Sequence, residues 1–266
     1  MSGRIPSIGI LLTCYKRPQL LSDQLAAIRR QTVPYKELVV WANYDACHEN
    51  SLFLSEAFSS IAETPSASLI RCSKNWGVWP RFVATTFLDC EYYAVFDDDT
   101  MPGHDWLLNC LDTLDALKTD PLVKDWRMSL LGTCGILFPD GTRDSAVGVG
   151  WKYPSNETMI ADLIGHAWFF SRELAKEFVV CHDYGPSCGE DYALSYLARK
   201  HGGAVCCPPH PPEQRELWGS LRGMELGCDD VALWRQPGEP EKKQFVHDSL
   251  RANGWPVATE LFEVQQ

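Results

Sequence analysis

The run Ser7-Ile8-Gly9-Ile10-Leu11-Leu12-Thr13 constrains the fold more than any other stretch of the chain. It is almost entirely apolar, which suits a strand buried on both faces rather than one with a solvated side. Such a strand needs helices above and below it, and the next residues supply one. Pro18 is placed to open a helix, and Leu20, Leu21, Gln24, Leu25 and Ile28 follow at helical spacing. The pattern then repeats. Glu37–Ala42 reads as a second buried strand, and a helical stretch near Leu52–Ile61 precedes a third at Ser68–Cys72. Pro80–Cys90 reads as a helix leading into the strand Tyr92–Phe96. Strands alternating with helices predict right-handed β-α-β units, and so an α/β fold around a mostly parallel sheet.

Ligands of such sheets bind at the carboxyl ends of the strands. Three polar clusters lie there: Thr13-Cys14-Tyr15, Asn43-Tyr44-Asp45 and Asp97-Asp98-Asp99. Strand alternation turns Asp97 and Asp99 one way and Asp98 the other. Adjacent carboxylates repel unless a cation lies between them, and hard oxygen ligands suit Mg²⁺ or Mn²⁺. A solvated acidic turn has the same composition. No GxGxxG and no GxxxxGK[ST] occurs, so a bound nucleotide would need a metal and side chains to neutralise its phosphates.

The second half changes character. Met128–Phe138 is a long β-type run, followed by a turn signal at Pro139-Asp140-Gly141-Thr142. Arg143–Gly150 and Met159–Gly165 read as further strands that make the sheet mixed. Ala167–Ser171 leads into a helix from Arg172 to Val180, and Gly185–Gly189 is a loop. Glu190-Asp191 opens a helix reaching about His201, where acidic residues are also favoured simply by the helix dipole. Ala204–Cys207 is a last short strand. The remainder, from Pro208, is Pro-rich and then helical at about Glu213–Leu226 and Lys242–Asn253.

At 266 residues the chain suits one large domain with an appended C-terminal segment. Its 24 basic and 35 acidic residues give a net charge of −11, which disfavours broad binding to nucleic acid, although a local basic groove is compatible with it. The longest apolar runs are too short to cross a bilayer, and Met1–Ser7 lacks the layout of a signal peptide, so a soluble, cytoplasmic protein is expected. The 11 cysteines are scattered from Cys14 to Cys228 without a CxxC pair. They read as free thiols in a reducing compartment; a zinc site at Cys181, Cys188, Cys206 and Cys207 is only weakly signalled.

These pieces, in this order, resemble the inverting, family-2-type glycosyltransferases of the GT-A fold. Ile8–Pro18 looks like that family's first strand and nucleoside loop. Asp97-Asp98-Asp99 with Met101-Pro102 and Asp105-Trp106-Leu107 looks like its DXD motif. Gly165–Arg172 looks like its acceptor-side strand, and Gly189-Glu190-Asp191-Tyr192 like its ED motif. The likeness spans roughly residues 7–205. It implies a Rossmann-like sheet with helices on both faces. It also implies a glycosyltransferase domain over residues 1–207, split into a nucleotide-sugar half (about 1–102) and an acceptor half (about 103–207). Residues 208–266 would pack on it as a helical extension.

The resemblance also assigns roles. Thr13 and Tyr15 would line the nucleoside pocket, with Arg17 and Asn75 beside it, and Asn43 or Asp45 would read the base or ribose. Arg81 would contact the donor, and Asp97 and Asp98 would lie at the ribose and metal-bound water. Asp99 would ligate Mn²⁺ or Mg²⁺, with Asp97 and a late histidine, His210, as further ligands. Asp191 would be the general base, oriented by Glu190. The donor would be a nucleoside-diphosphate sugar, UDP favoured, and the acceptor a glycan or another hydroxyl-bearing molecule. Arg215 and Arg222 read either as phosphate clamps or as solvated charges, and His166 as an acceptor-side or a core histidine. Trp76, Trp79, Trp151, Trp168 and Trp218 serve sugar stacking or packing. Two alternatives share the fold: a nucleotide- or carbohydrate-binding module without turnover, and a sugar nucleotidyltransferase. The second normally opens with a glycine-rich basic loop, which Thr13–Arg17 is not.

Overall fold

The computed structural model describes residues 4–43, 59–179, 188–230 and 232–263. Strand β1 (Ile8–Cys14) is buried along its whole length. It lies between β2 (Glu37–Ala42) and β4 (Tyr92–Phe96), parallel to both, with Leu12 opposite Val40 on one side and Phe96 on the other. β3 (Ala67–Arg71) extends the parallel part beyond β2. On the other flank β10 (Trp168–Ser171) runs antiparallel to β4. With β5 (Leu130–Leu131), β11 (Val205–Cys207) and β8 (Met159–Ile160) it completes an eight-stranded sheet of order β3-β2-β1-β4-β10-β5-β11-β8. A second sheet of three strands, β7 (Val147–Gly150), β6 (Cys134–Leu137) and β9 (Leu163–Ile164), stands beside it.

Strand alternation splits the core into two layers. Leu11, Val39, Val95, Trp168 and Phe170 face one layer, which holds Phe82, Leu174, Phe178 and Tyr192. Ile10, Leu12, Val40, Phe96 and Phe169 face the other, which holds Leu25, Ile28, Trp106 and Leu114. Helices α1 (Leu21–Arg29) and α3 (Trp106–Leu117) cover the second face. The one-turn helix α2 (Pro80–Val83), α4 (Arg172–Val179) and α5 (Glu190–Lys200) cover the first. Each such aliphatic or aromatic side chain contributes about 1.5–3 kcal/mol on burial. The fold is therefore mixed α/β with a large, mostly parallel sheet, as expected.

Several elements differ from the expectation. Met128–Phe138 is not one strand: the chain changes sheets at Gly132-Thr133, where a Cβ on Gly132 would lie 2.8 Å from the His166 carbonyl oxygen. Met159–Gly165 likewise splits around Asp162, whose carboxylate accepts hydrogen bonds from the Phe138 and Ala258 amides. The helix expected over Pro80–Cys90 tightens into a 3-10 turn at Ala84–Phe87. Helix α3, with Trp106, Cys110, Leu114 and Leu117 buried on one face, is absent from the sequence expectation. The helix expected near Leu52–Ile61 lies largely outside the described residues.

Beyond Pro212 the segment expected as one helix is a 3-10 turn at Arg215–Leu217 and the single turn α6 (Gly223–Leu226). Helix α7 (Glu239–Ala252) then starts behind Gly238, whose φ of +81° needs glycine. Val246 and Leu250 of α7, with Trp255, join the first core layer, and α8 (Ala258–Glu263) follows. Among the described residues no helix is long and apolar enough to cross a membrane.

Candidate active site

In the order β3-β2-β1-β4 the chain direction of travel reverses across β1 and β4, which opens a crevice at their carboxyl ends. A cavity of about 1330 Å³ lies there. Its walls include Thr13, Tyr15, Arg17, Asn43, Asn75, Arg81, Asp97, Asp98, Asp99, Glu190 and Asp191. These are the described residues to which the resemblance gave a nucleoside, donor, metal or catalytic role, with the exception of His210; Arg215, Arg222, Trp79 and Trp218 also lie off the cavity wall, and Asp45 lies outside the described residues.

Strand β4 ends at Phe96, and the acidic triplet is a turn rather than strand. The Thr100 amide donates to the Asp97 carbonyl (3.0 Å), and Thr100 Oγ1 accepts from the Asp97 amide. Gln24 of α1 clamps the turn by donating to the carbonyls of Asp97 and Thr100. Asp98 points to the loop after β1, where it accepts from Arg17 Nη1 (2.6 Å) and the Lys16 amide (2.8 Å). Burial raises its pKa, and Arg17 opposes that rise.

Asp97 and Asp99 point elsewhere, and with His166 they offer three ligand atoms within 4.8 Å of one another. Asp99 Oδ1 is buried without a hydrogen-bond partner, 3.7 Å from His166 Nδ1. His166 Nε2 sits 3.2 Å from Thr100 Oγ1, and the Trp151 ring packs against the imidazole at a 40° tilt with centroids 4.6 Å apart. Burial, reinforced by Asp97 and Asp98, pushes Asp99 up to about 7. Burial holds His166 down at about 4, so its imidazole is neutral at physiological pH. A neutral imidazole, an unpartnered buried carboxylate oxygen and a second carboxylate form a donor set that fits a divalent transition metal.

His210 does not join this group. It is buried with Nδ1 2.7 Å from the Pro208 carbonyl and Nε2 2.9 Å from that of Tyr153, so neither nitrogen faces a metal. A histidine between prolines is held by the backbone it interrupts. Arg215 stacks on Trp218 and donates to the Leu221 carbonyl, and Arg222 pairs with Glu225. Neither lines the cavity. His166, not His210, stands beside Asp97 and Asp99; its signal in sequence was only its place two residues before β10.

Arg81 joins the two halves of the site. Its Nε lies 3.2 Å from Asp97 and its Nη2 2.8 Å from Glu190, with the guanidinium against the Phe82 and Trp168 rings. Glu190 opens α5 behind Gly189, whose φ is +90°. Burial and the neighbouring Asp191 push Glu190 up to about 7, against Arg81. Asp191 Oδ1 accepts from the Tyr192 amide, which leaves Oδ2 toward the cavity beside Gly165. On the nucleoside side Tyr15, Asn75 and Asn43 form a polar chain: Asn75 Nδ2 donates to the Tyr15 hydroxyl (2.9 Å), and Asn43 Nδ2 to Asn75 Oδ1 (3.0 Å). Thr13 Oγ1 is buried and unpartnered at the same wall.

No protein-family profile matches the chain, and no curated protein does. Solved structures do. GalNAc-T7, in complex with UDP, GalNAc and Mn²⁺, matches at 14% identity and a TM-score of 0.56 over 86% of this chain and 47% of that one. The 1–349 fragment of TarS from S. aureus matches at 15% identity and 0.53, over 97% and 77%. The mannosyltransferase PcManGT from Pyrobaculum calidifontis, in complex with GDP-Man and Mn²⁺, matches at 14% and 0.50, over 98% and 79%. The fold is GT-A. At these identities the likeness is one of fold, and the chain spans about half the length of GalNAc-T7. Within that fold Asp97 and Asp99 lie just past the end of β4, close to His166, and Glu190-Asp191 opens a helix that lines the same cavity.

Proposed function

We propose that this chain is a metal-dependent glycosyltransferase that moves a sugar from a nucleoside-diphosphate sugar to an acceptor hydroxyl with inversion at the anomeric carbon. The observation that carries the reading is the buried, unpartnered Asp99 Oδ1 beside Asp97 and His166, in the same cavity as Asp191. Asp97, Asp99 and His166 would hold the ion. Bound there, a divalent cation supplies Lewis-acid neutralisation of the diphosphate leaving group.

The chain's own residues do the rest. Tyr15, Asn75 and Asn43 present a ring and amide groups to the nucleoside. Asp191 Oδ2 accepts the proton of the attacking hydroxyl, a step that contributes about 10²–10⁴-fold. Arg81 ties Glu190 to Asp97 and so fixes the base-bearing helix relative to the metal-binding turn. Mn²⁺ is the first metal to try, because an imidazole joins two carboxylates, and UDP-sugars are the first donors. GalNAc-T7 and PcManGT were each captured with a nucleotide and Mn²⁺, which supports the choice.

The test is a thermal-shift panel of nucleoside diphosphates and nucleotide sugars, with Mn²⁺ or with EDTA. At a hundred times its dissociation constant a ligand stabilises by about 2.7 kcal/mol. A shift for one nucleotide series that needs metal, and that Asp99→Ala removes, is expected. Equal shifts with and without metal would sink the reading.

A further inference from the structure

On the cavity wall that carries Asp191, two cations form no ion pair within 4.0 Å among the described residues. Lys243 projects from α7, whose Val246 packs against Gly189 at the start of α5: a Cβ on Gly189 would lie 2.9 Å from Val246 Cγ2. This packing places Lys243 at the cavity wall shared with Asp191. The residue is half-buried, and it makes no hydrogen bond or ion pair within 4.0 Å of any described residue. Burial works against its charge, but Asp191 and Glu190 hold its pKa above the ordinary lysine value, so it is cationic.

Arg143 lines the same wall. Its Nε donates to the Tyr192 hydroxyl (3.2 Å) and its Nη1 to the Pro240 carbonyl (3.1 Å), both neutral acceptors. Those bonds fix the guanidinium without neutralising it, and Nη2 has no partner among the described residues. Of the acids nearby, Glu190 is engaged by Arg81, Asp191 keeps an oxygen for the reaction, and Asp144 and Asp248 are exposed. Asp191 and Glu190 offset the lysine's charge from beyond salt-bridge range, which leaves N–H donors of both cations open to a ligand anion.

We propose that Lys243 and Arg143 form an anion seat beside Asp191, and that the acceptor carries a phosphate or carboxylate close to its reacting hydroxyl. This rests on the glycosyltransferase reading for the word acceptor, but the anion seat itself can be tested without it. The lysine is a specificity residue here: Asp191 takes the proton, and Lys243 selects and positions the molecule that gives it up. A net charge of −11 favours a small charged acceptor over a polyanion.

The test is calorimetric titration of the full chain in EDTA with glucose, glucose 6-phosphate and glucuronate. EDTA keeps phosphate from reaching the site through a metal. At least one charged sugar should bind about tenfold or more tighter than glucose, the scale of a charge-assisted hydrogen bond. Lys243→Gln should abolish that ratio and Lys243→Arg should keep it. Tighter binding of glucose 6-phosphate alone assigns a phosphate acceptor, and of glucuronate alone a carboxylate acceptor. Charged and neutral sugars binding alike, or a ratio that survives Lys243→Gln, overturns the proposal. Because neither metal nor donor is present, a failed metal-dependent nucleotide shift would refute the transferase reading separately.

Discussion

Arg17 grips Asp229 with two hydrogen bonds, from Nε at 3.0 Å and from Nη2 at 2.6 Å, while its Nη1 holds Asp98 at 2.6 Å. The loop after β1 is thereby tied to the segment that precedes α7. That segment also sets Gly227 against Asp99 and Trp151: a Cβ on Gly227 would lie 3.3 Å from Asp99 Oδ2 and 2.9 Å from the Trp151 ring. The residues after β11 therefore help to build the end of the cavity that holds Asp97, Asp99 and His166.

Arg17→Met should cost about 3 kcal/mol of stability, because it strands the buried Asp98 without its cation. Asp229→Asn should cost about 1 kcal/mol or less, since Asp229 is 38% exposed and its pairing is screened by water. Urea unfolding of the two variants in EDTA measures both. Equal losses would mean that the Asp229 contact, not Asp98, carries the energy.

Asp99 should make the metal-free protein less stable than it could be. Its folded pKa of about 7 lies above the ordinary carboxyl value of 3.8, so between those values the folded state holds a proton that the unfolded state has lost. Its contribution to stability thus falls as pH rises through this window, and the penalty is complete above about pH 7. Asp99→Asn removes the charge. In EDTA at pH 8 the variant should be more stable than wild type by on the order of 2 kcal/mol, a difference that shrinks toward pH 4. Adding Mn²⁺ should stabilise wild type only. Melting temperatures across pH, with and without metal, decide it; a variant less stable at pH 8 would show that the carboxylate is not strained.

Asp191→Asn should leave metal-dependent nucleotide binding intact and lower transfer by about 10²–10⁴-fold. The amide still accepts from the Tyr192 amide, so the start of α5 should keep its shape. Nucleotide-shift and product-release measurements on the same preparation separate binding from chemistry. Transfer that survives at near wild-type rate would remove Asp191 from the role of base.

The parallel half of the fold was legible because β1, β2 and β4 are buried on both faces, which leaves a continuous apolar signal. The antiparallel half was not, because Leu130–Leu131 and Leu163–Ile164 are two-residue strands whose ends are set by close approaches at Gly132 and by the Asp162 carboxylate. Those are tertiary facts. The same holds for the site. Asp97, Asp99, Glu190 and Asp191 stand at element ends, where sequence pattern points. His166, Asp229 and Lys243 reach it only through packing: nothing local says that Lys243 turns inward while Lys242 pairs with Glu239. His210 had the more suggestive position, yet backbone carbonyls occupy it.

His166 offers the last prediction, because its nitrogen changes which metal is preferred. Nδ1 lies 3.7 Å from Asp99 Oδ1, and burial keeps the ring neutral and able to donate its lone pair. Mg²⁺ prefers an all-oxygen shell with several waters, so a nitrogen adds little to it; Mn²⁺ gains more. His166→Phe keeps a ring against Trp151 and removes the nitrogens, at a cost of about 1 kcal/mol for the lost Thr100 contact. Mn²⁺ affinity, read by electron paramagnetic resonance of the free ion, should fall about tenfold, while Mg²⁺ affinity changes by less than about threefold. The preference for Mn²⁺ then shrinks, whatever happens to activity. If both metals weaken equally, the effect comes from misplacing Asp99 and the imidazole is only its support; if neither weakens, the two carboxylates hold the ion by themselves.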